Sequence, residues 1–239
     1  MGAPEIDIRL GWFCPNICAA DIRRSLEFYL LLGFERTGGN PTENWATLRL
    51  GQTELHLFHG YIFENLLHWR GGDIEAIAEL AKLQGIEAET AAARHPDGSW
   101  TLTLRDPAGN GIFLNTYPDE RLRFLAGERA SIPGLVAWAG EAGAGMEWQL
   151  ATPEPQALAD WYGLLGMESG PGTAPGSLLL SQGDTLLALD SGLSCNRIVV
   201  RTGSEEALQA CLQRLADVGL AVTDGLLDDP DGNEVVVSV

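Results

Sequence analysis

The chain has 239 residues, of which 45% are hydrophobic and 20% charged, so it can bury one large core or two smaller cores of about 120 residues each. Its net charge of −18 argues against nucleic acid as a partner, because phosphate binding needs clustered Lys and Arg, and it disfavours anionic membrane surfaces. Residues 1–9 form no apolar leader and no apolar run approaches the roughly 20 residues of a membrane helix, so we expect a cytoplasmic protein without membrane partners.

The clearest feature is an internal repeat. Asn16–Phe34 and Gln149–Met167 both predict a strand, an amphipathic helix and a closing Leu-Gly pair. Asp21 is a suitable N-cap for the first helix. Gly33 and Gly166 are suited to the position at which each helix ends. Each helix carries an aromatic pair that we interpret as packing residues: Phe28 with Tyr29, and Trp161 with Tyr162.

The rest of each half follows the same order. Strand candidates WATLRL and TELHLF come first, and their counterparts are SLLLS and TLLALD. A second amphipathic helix is predicted over Asp73–Gly85 and over Ser204–Gly219. Each half closes on a hairpin around Asp-Pro-x-Gly-Asn, whose Pro and Gly suit a tight turn.

These elements predict an α+β fold of tandem βαβββ modules, two modules in each half. We place a first domain at 1–118, a connector at 119–145, in which ERLRFL suits a short helix, and a second domain at 146–239. We expect Cys14, Asn16 and Cys18 to share one face of a single N-terminal strand. No pair of the four cysteines has CxxC spacing, so free thiols are expected.

This order of parts resembles the vicinal oxygen chelate superfamily of glyoxalases, bleomycin-resistance proteins and extradiol dioxygenases. The run Ala46–Gly60 is especially similar to the bleomycin-resistance branch. The resemblance implies an open, U-shaped sheet in each domain around a cavity. In the enzymes of the superfamily, one divalent metal is held there by His, Glu or Gln side chains on the first and last strands of each module, and it can chelate two adjacent substrate oxygens.

Carrying the ligand positions over to this sequence yields few donors. In the first domain they are Cys14, His56, Leu66 or Leu67 with His68 one step away, and Phe113. In the second domain they are Glu147, Ala188, Asn196 or Arg197, and Val236. Because a catalytic metal typically needs three protein ligands, we predict no metal cofactor. The alternative is a divalent metal held by Cys14 and His56 with Glu54 or His68.

The sequence therefore favours a binding protein over an enzyme, one that sequesters a small organic molecule in a cavity without a catalytic metal. The alternative function is a metal-dependent lyase, isomerase or dioxygenase that uses Cys14 and His56. Aromatic walls and a few polar groups suit such a cavity. The candidate cavity residues are Asn16, Trp45, His56, Phe58, Trp100, Phe113, Asn115, Glu147 and Gln149. A monomer and a homodimer are both consistent with the tandem repeat.

Overall fold

The protein is described by a computed structural model that covers residues 8–127, 143–182 and 185–239. The helices are α1 (Ile22–Leu31), α2 (Ile74–Leu83), α3 (Pro118–Leu125), α4 (Pro155–Leu164) and α5 (Glu205–Asp217), with a 3₁₀ turn at Pro41–Glu43. The segment ERLRFL is helical as predicted, and the part of the connector at 128–142 lies outside the described residues. None of the described helices is both long and apolar enough to cross a membrane.

The strands form two sheets. The first sheet contains β1 (Gly11–Phe13), β2 (Asn16–Cys18), β3 (Glu35–Asn40), β4 (Trp45–Leu50), β5 (Thr53–Phe58), β6 (Leu66–Gly71), β7 (Ala88–Arg94), β8 (Trp100–Arg105) and β9 (Gly111–Thr116). The second contains β10 (Gly145–Ala151), β11 (Glu168–Pro171), β12 (Leu178–Gln182), β13 (Thr185–Asp190), β14 (Arg197–Arg201), β15 (Leu226–Asp228) and β16 (Glu234–Ser238). Their orders are β3-β4-β5-β2-β6-β9-β8-β7, with β1 on β6, and β11-β12-β13-β10-β14-β16-β15. The α+β class and the tandem modules are confirmed, but the last module has two strands after its helix (β15 and β16) where three were predicted. The exact domain boundaries stay a prediction.

Packing divides the chain into two compact units, each drawn from both halves of the sequence. One unit holds β2–β5 and α1 together with β10, β14–β16 and α5. The other holds β1, β6–β9, α2 and α3 together with α4 and β11–β13. Each unit has its own buried aromatic side chains: Tyr29 lies in the first unit, and Trp69 and Tyr162 lie in the second.

Helix α1 begins and ends where local signals predict. The Asp21 side chain accepts hydrogen bonds from the backbone N–H groups of Arg23 and Arg24, as an N-cap should. Gly33 follows the helix with a φ of +100°, a conformation that side-chain-bearing residues rarely adopt. The same two signals bound the helix in the sequence and in the structure.

The N-terminal strand is divided, so the prediction of one continuous strand through Cys14, Asn16 and Cys18 is wrong. Pro15 has no N–H to give to a ladder, and the chain changes partners there. Before it, β1 pairs antiparallel with β6, with Phe13 opposite Trp69. After it, β2 pairs parallel with β5. Cys14 therefore lies at the change of partner.

Each hairpin aspartate accepts hydrogen bonds from its own turn and from a tyrosine of the other repeat. Asp106 accepts from the backbone and side-chain amides of Asn110, and Tyr162 Oη donates to its Oδ2 at 2.9 Å. Asp229 takes the same role: Tyr29 Oη donates to its Oδ2 at 2.8 Å. Both tyrosines are buried, as expected for packing residues, and their hydroxyls also join the two repeats within each unit.

Removing either hydroxyl leaves a buried carboxylate short of one donor. We expect Tyr29→Phe and Tyr162→Phe each to lower the free energy of unfolding by about 1–3 kcal/mol, the usual cost of losing a hydrogen bond to a buried charged group. Urea unfolding at neutral pH measures the change. The matched control is Tyr61→Phe, because Tyr61 is exposed. Losses no larger than that of the control would contradict the assignment.

The same pairs predict a loss of stability at alkaline pH. Burial, and then the charge and hydrogen bond of the facing aspartate, raise the pKa of Tyr29 and of Tyr162 well above the ordinary value of about 10. Above about pH 10 the unfolded chain loses these protons while the folded chain keeps them, so stability falls as pH rises, by up to about 1.4 kcal/mol per pH unit for each tyrosine. Urea unfolding between about pH 9 and 11 should show this slope, which Y29F and Y162F should reduce and Y61F should not. An unchanged slope in both variants would refute it.

Candidate metal centre

His56 lies on β5 beside a buried carboxylate. Register places it opposite Asn16 on the parallel strand β2, and both side chains are buried. The ring Nε2 of His56 lies 2.7 Å from Glu54 Oε1, and Arg49 lies 3.9 Å from the second oxygen of that carboxylate. A carboxylate only accepts hydrogen bonds, so this contact places the ring proton on Nε2.

Cys14 just after β1, His68 on β6 and Asn115 on β9 form a second series of contacts. The backbone N–H of Cys14 donates to the carbonyl of His68 at 2.9 Å, which sets the two residues side by side. Cys14 Sγ lies 3.6 Å from His68 Nδ1, and His68 Nε2 lies 2.9 Å from Asn115 Oδ1. The three side chains therefore form a Cys-His-Asn series.

Three donors come close enough for one ion. Ligand atoms of Cys14, His56 and His68 all lie within 4.8 Å of one another, and all three residues are buried. In a tetrahedral zinc site, bonds of roughly 2.3 Å to sulfur and 2.0 Å to nitrogen separate the two donors by about 3.5 Å. The 3.6 Å between Cys14 Sγ and His68 Nδ1 matches that separation, so these residues fit a metal.

The sequence left two candidate third donors beside Cys14 and His56, namely Glu54 and His68. Glu54 contacts the His56 ring, whereas a ligand atom of His68 lies within 4.8 Å of those of Cys14 and His56. The superfamily positions pointed to Leu66 or Leu67, but Leu67 and Trp69 are buried on the opposite face of β6, and His68 alternates with them. That alternation in LLHWRG is the signal that the sequence offered.

The second repeat lacks the same donors. Glu147 on β10 faces Val199 on β14, as Cys14 faces His68, and Ala188 stands where the first repeat has His56. The Glu147 carboxylate accepts from Gln149 at 2.8 Å and from Arg201 at 3.0 Å. Of the three equivalent positions, only Glu147 carries a donor, and it is already hydrogen-bonded.

The remaining candidate cavity residues lie in different places. The ring centroids of Phe113 and His68 lie 5.1 Å apart, and those of Phe58 and His56 lie 6.1 Å apart. Trp45 is paired in register with Phe58. Trp100 instead lines a separate cleft of about 440 Å³ with Arg94 and Arg121. Their roles as cavity residues stay predictions.

The comparisons with known proteins agree on the fold. No protein-family model matches the sequence, and no curated protein is similar enough to count as a relative. A Mn(II)-bound glyoxalase from Novosphingobium aromaticivorans matches 98% of this chain and 82% of its own, with a TM-score of 0.63 and 13% identity. The 2,2',3-trihydroxybiphenyl 1,2-dioxygenase of Sphingomonas wittichii matches 98% and 90%, with a TM-score of 0.61 and 14% identity. The Y257F variant of homoprotocatechuate 2,3-dioxygenase from B. fuscum matches 97% and 71%, with a TM-score of 0.65 and 14% identity.

The chain has the vicinal oxygen chelate fold. At 13–14% identity the likeness extends to the fold alone, so the site has to be argued from the side chains of this chain. Among the described residues, the side chains of Cys14, His56 and His68 form one group that could hold a metal ion.

Proposed function

We propose that the protein is a metal-dependent enzyme of the vicinal oxygen chelate type, with Cys14, His56 and His68 as metal ligands. The observation that carries the proposal is the closeness of their donor atoms, all within 4.8 Å of one another. A cluster of one sulfur and two imidazole nitrogens in a buried setting is a common protein ligand set for a divalent ion. The three residues come from separate stretches of the chain, so their closeness in space does not follow from being neighbours in the sequence.

The surroundings suit a small organic substrate with two adjacent oxygens. When bound, the ion would supply Lewis-acid polarisation of such oxygens. Phe113 lies on β9 at the fourth superfamily position and offers no donor, which leaves coordination positions for substrate. Phe113 beside His68 and Phe58 beside His56 limit water near the imidazoles. Lyase, isomerase and dioxygenase chemistry all fall within this proposal.

Several expectations from the sequence remain proposals. The small molecule is proposed to be a substrate rather than a sequestered ligand, and a cytoplasmic location, the absence of nucleic-acid and membrane partners, and a monomer or homodimer are retained. Capture of a compound without turnover, of the bleomycin-resistance kind, is the less favoured reading because it leaves the three clustered donors unused.

Metal binding tests the proposal directly. We expect purified protein loaded with Zn²⁺, Mn²⁺ or Fe²⁺ and then desalted to retain about one equivalent of at least one ion, and His56→Ala and His68→Ala to weaken binding by at least about tenfold. Elemental analysis and chelator competition measure both. Glu147→Ala is the matched control, because Glu147 occupies the position equivalent to Cys14 in the second repeat. The proposal is contradicted if the protein retains no metal, or if Glu147→Ala weakens metal binding as much as the histidine variants do.

A second candidate function is supported by the contacts of Cys14. The series Cys14 Sγ to His68 Nδ1 to Asn115 has the connectivity of a nucleophile, a base and a group that orients the base. In such a reaction the sulfur would bond to an electrophilic carbon, the thiol proton would pass to His68, and the leaving group would depart with the bonding pair. The protein would then act on a small electrophile through its thiol.

Alkylation separates the two functions. If Cys14 is a nucleophile, iodoacetamide should modify it in metal-free protein at least about tenfold faster than Cys18, and His68→Ala should remove the difference. Burial raises the pKa of Cys18, of Cys195 and of Cys211, so these thiols are slow internal references. Peptide mass spectrometry reads out each site. A Cys14 that reacts no faster than the references counts against the thiol function and leaves the metal function standing.

A further inference from the structure

Both imidazoles are held by an acceptor on the same ring nitrogen. His56 Nε2 contacts Glu54 Oε1, and His68 Nε2 contacts Asn115 Oδ1. A carboxylate oxygen and an amide oxygen both accept hydrogen bonds, so in each ring the proton belongs on Nε2. The lone pair of the neutral ring then lies on Nδ1, and for His68 that atom is the one beside Cys14 Sγ. Such outer partners fix the tautomer and orientation of a metal-binding imidazole.

The donors themselves are soft. Sulfur and imidazole nitrogen suit zinc, whereas magnesium and manganese prefer carboxylate, carbonyl and water oxygens. The carboxylate in contact with the cluster, that of Glu54, lies against the His56 ring and Arg49. The sulfur-to-nitrogen separation of 3.6 Å fits a tetrahedral zinc site. The Mn(II)-bound glyoxalase that shares the fold is therefore a poor guide to the metal of this chain.

We propose that the centre is selective for Zn²⁺ over Mn²⁺ because of Cys14, and that Asn115 is a positioning residue that holds His68 as the Nε2-protonated tautomer. This inference rests on the proposed metal-dependent function and narrows it. Zinc does not change its oxidation state, so it supplies Lewis-acid chemistry and no oxygen activation. The reaction class becomes that of a lyase or isomerase rather than a dioxygenase.

The test uses the full chain freed of metal with a chelator. Zn²⁺ and Mn²⁺ are titrated separately against a chromophoric chelator, and Co²⁺ is added as a spectroscopic stand-in for Zn²⁺. We expect Zn²⁺ to bind at least about tenfold more tightly than Mn²⁺. The Co²⁺ protein should show a thiolate-to-cobalt charge-transfer band in the near ultraviolet. Cys14→Ser should abolish that band and reduce the preference for zinc.

Two variants of Asn115 examine its role. Asn115→Leu removes the acceptor and should weaken Zn²⁺ binding by about 10–100-fold, while Asn115→Asp keeps an acceptor and should restore most of the affinity. If Asn115 had only a structural role, restoring an acceptor with Asn115→Asp would not restore the affinity for zinc. Circular dichroism and urea unfolding of both variants serve as the control for a folding defect.

The outcomes are separable. If no ion binds, the proposed function and this inference fail together. If Mn²⁺ binds as tightly as Zn²⁺, or Co²⁺ binds without a thiolate band, the metal centre stands and zinc selectivity is refuted. If Asn115→Leu binds zinc normally, or Asn115→Asp is as weak as Asn115→Leu, the positioning role is refuted.

Discussion

The carboxylate of Asp106 accepts hydrogen bonds from both amides of Asn110 and from the buried hydroxyl of Tyr162, and the hairpin that carries β9 depends on them. Strand β9 in turn lies parallel to β6, with Phe113 opposite His68. That register is what brings Asn115 to the His68 ring. The orientation of one imidazole at the candidate centre thus depends on a turn that lies at the far end of the hairpin.

The two repeats keep the same framework and differ in their chemistry. Both retain a tyrosine on the first helix and an aspartate in the closing hairpin, and both aspartates are used in the same way. At the three equivalent positions the first repeat carries sulfur and imidazole, where the second has Glu147, Ala188 and Val199. Packing therefore constrains both copies, whereas the sulfur and imidazole donors belong to one.

The sequence predicted the features that local signals determine. Asp21 and Gly33 bound α1, and the Asp-Pro-x-Gly-Asn turns form the hairpins, because capping and turn chemistry act over a few residues. Contacts between strands that are far apart in the sequence were harder to predict. The pairing of His68 with Cys14 depends on β1 and β6 lying side by side, and the bond from Tyr29 to Asp229 joins residues 200 positions apart. Asn115 was named as a polar cavity candidate, yet its partner His68 could not be known without the register of β6 and β9.

The exchange of tyrosine and aspartate between repeats has a consequence for how this chain can evolve. A duplicated copy can normally be lost if the remaining copy folds without it. Here the second repeat supplies Tyr162 to the hairpin of the first, and its own hairpin receives Tyr29 in return. Deletion of the second repeat would therefore leave the buried carboxylate of Asp106 without its tyrosine donor, which ties the survival of one copy to the presence of the other.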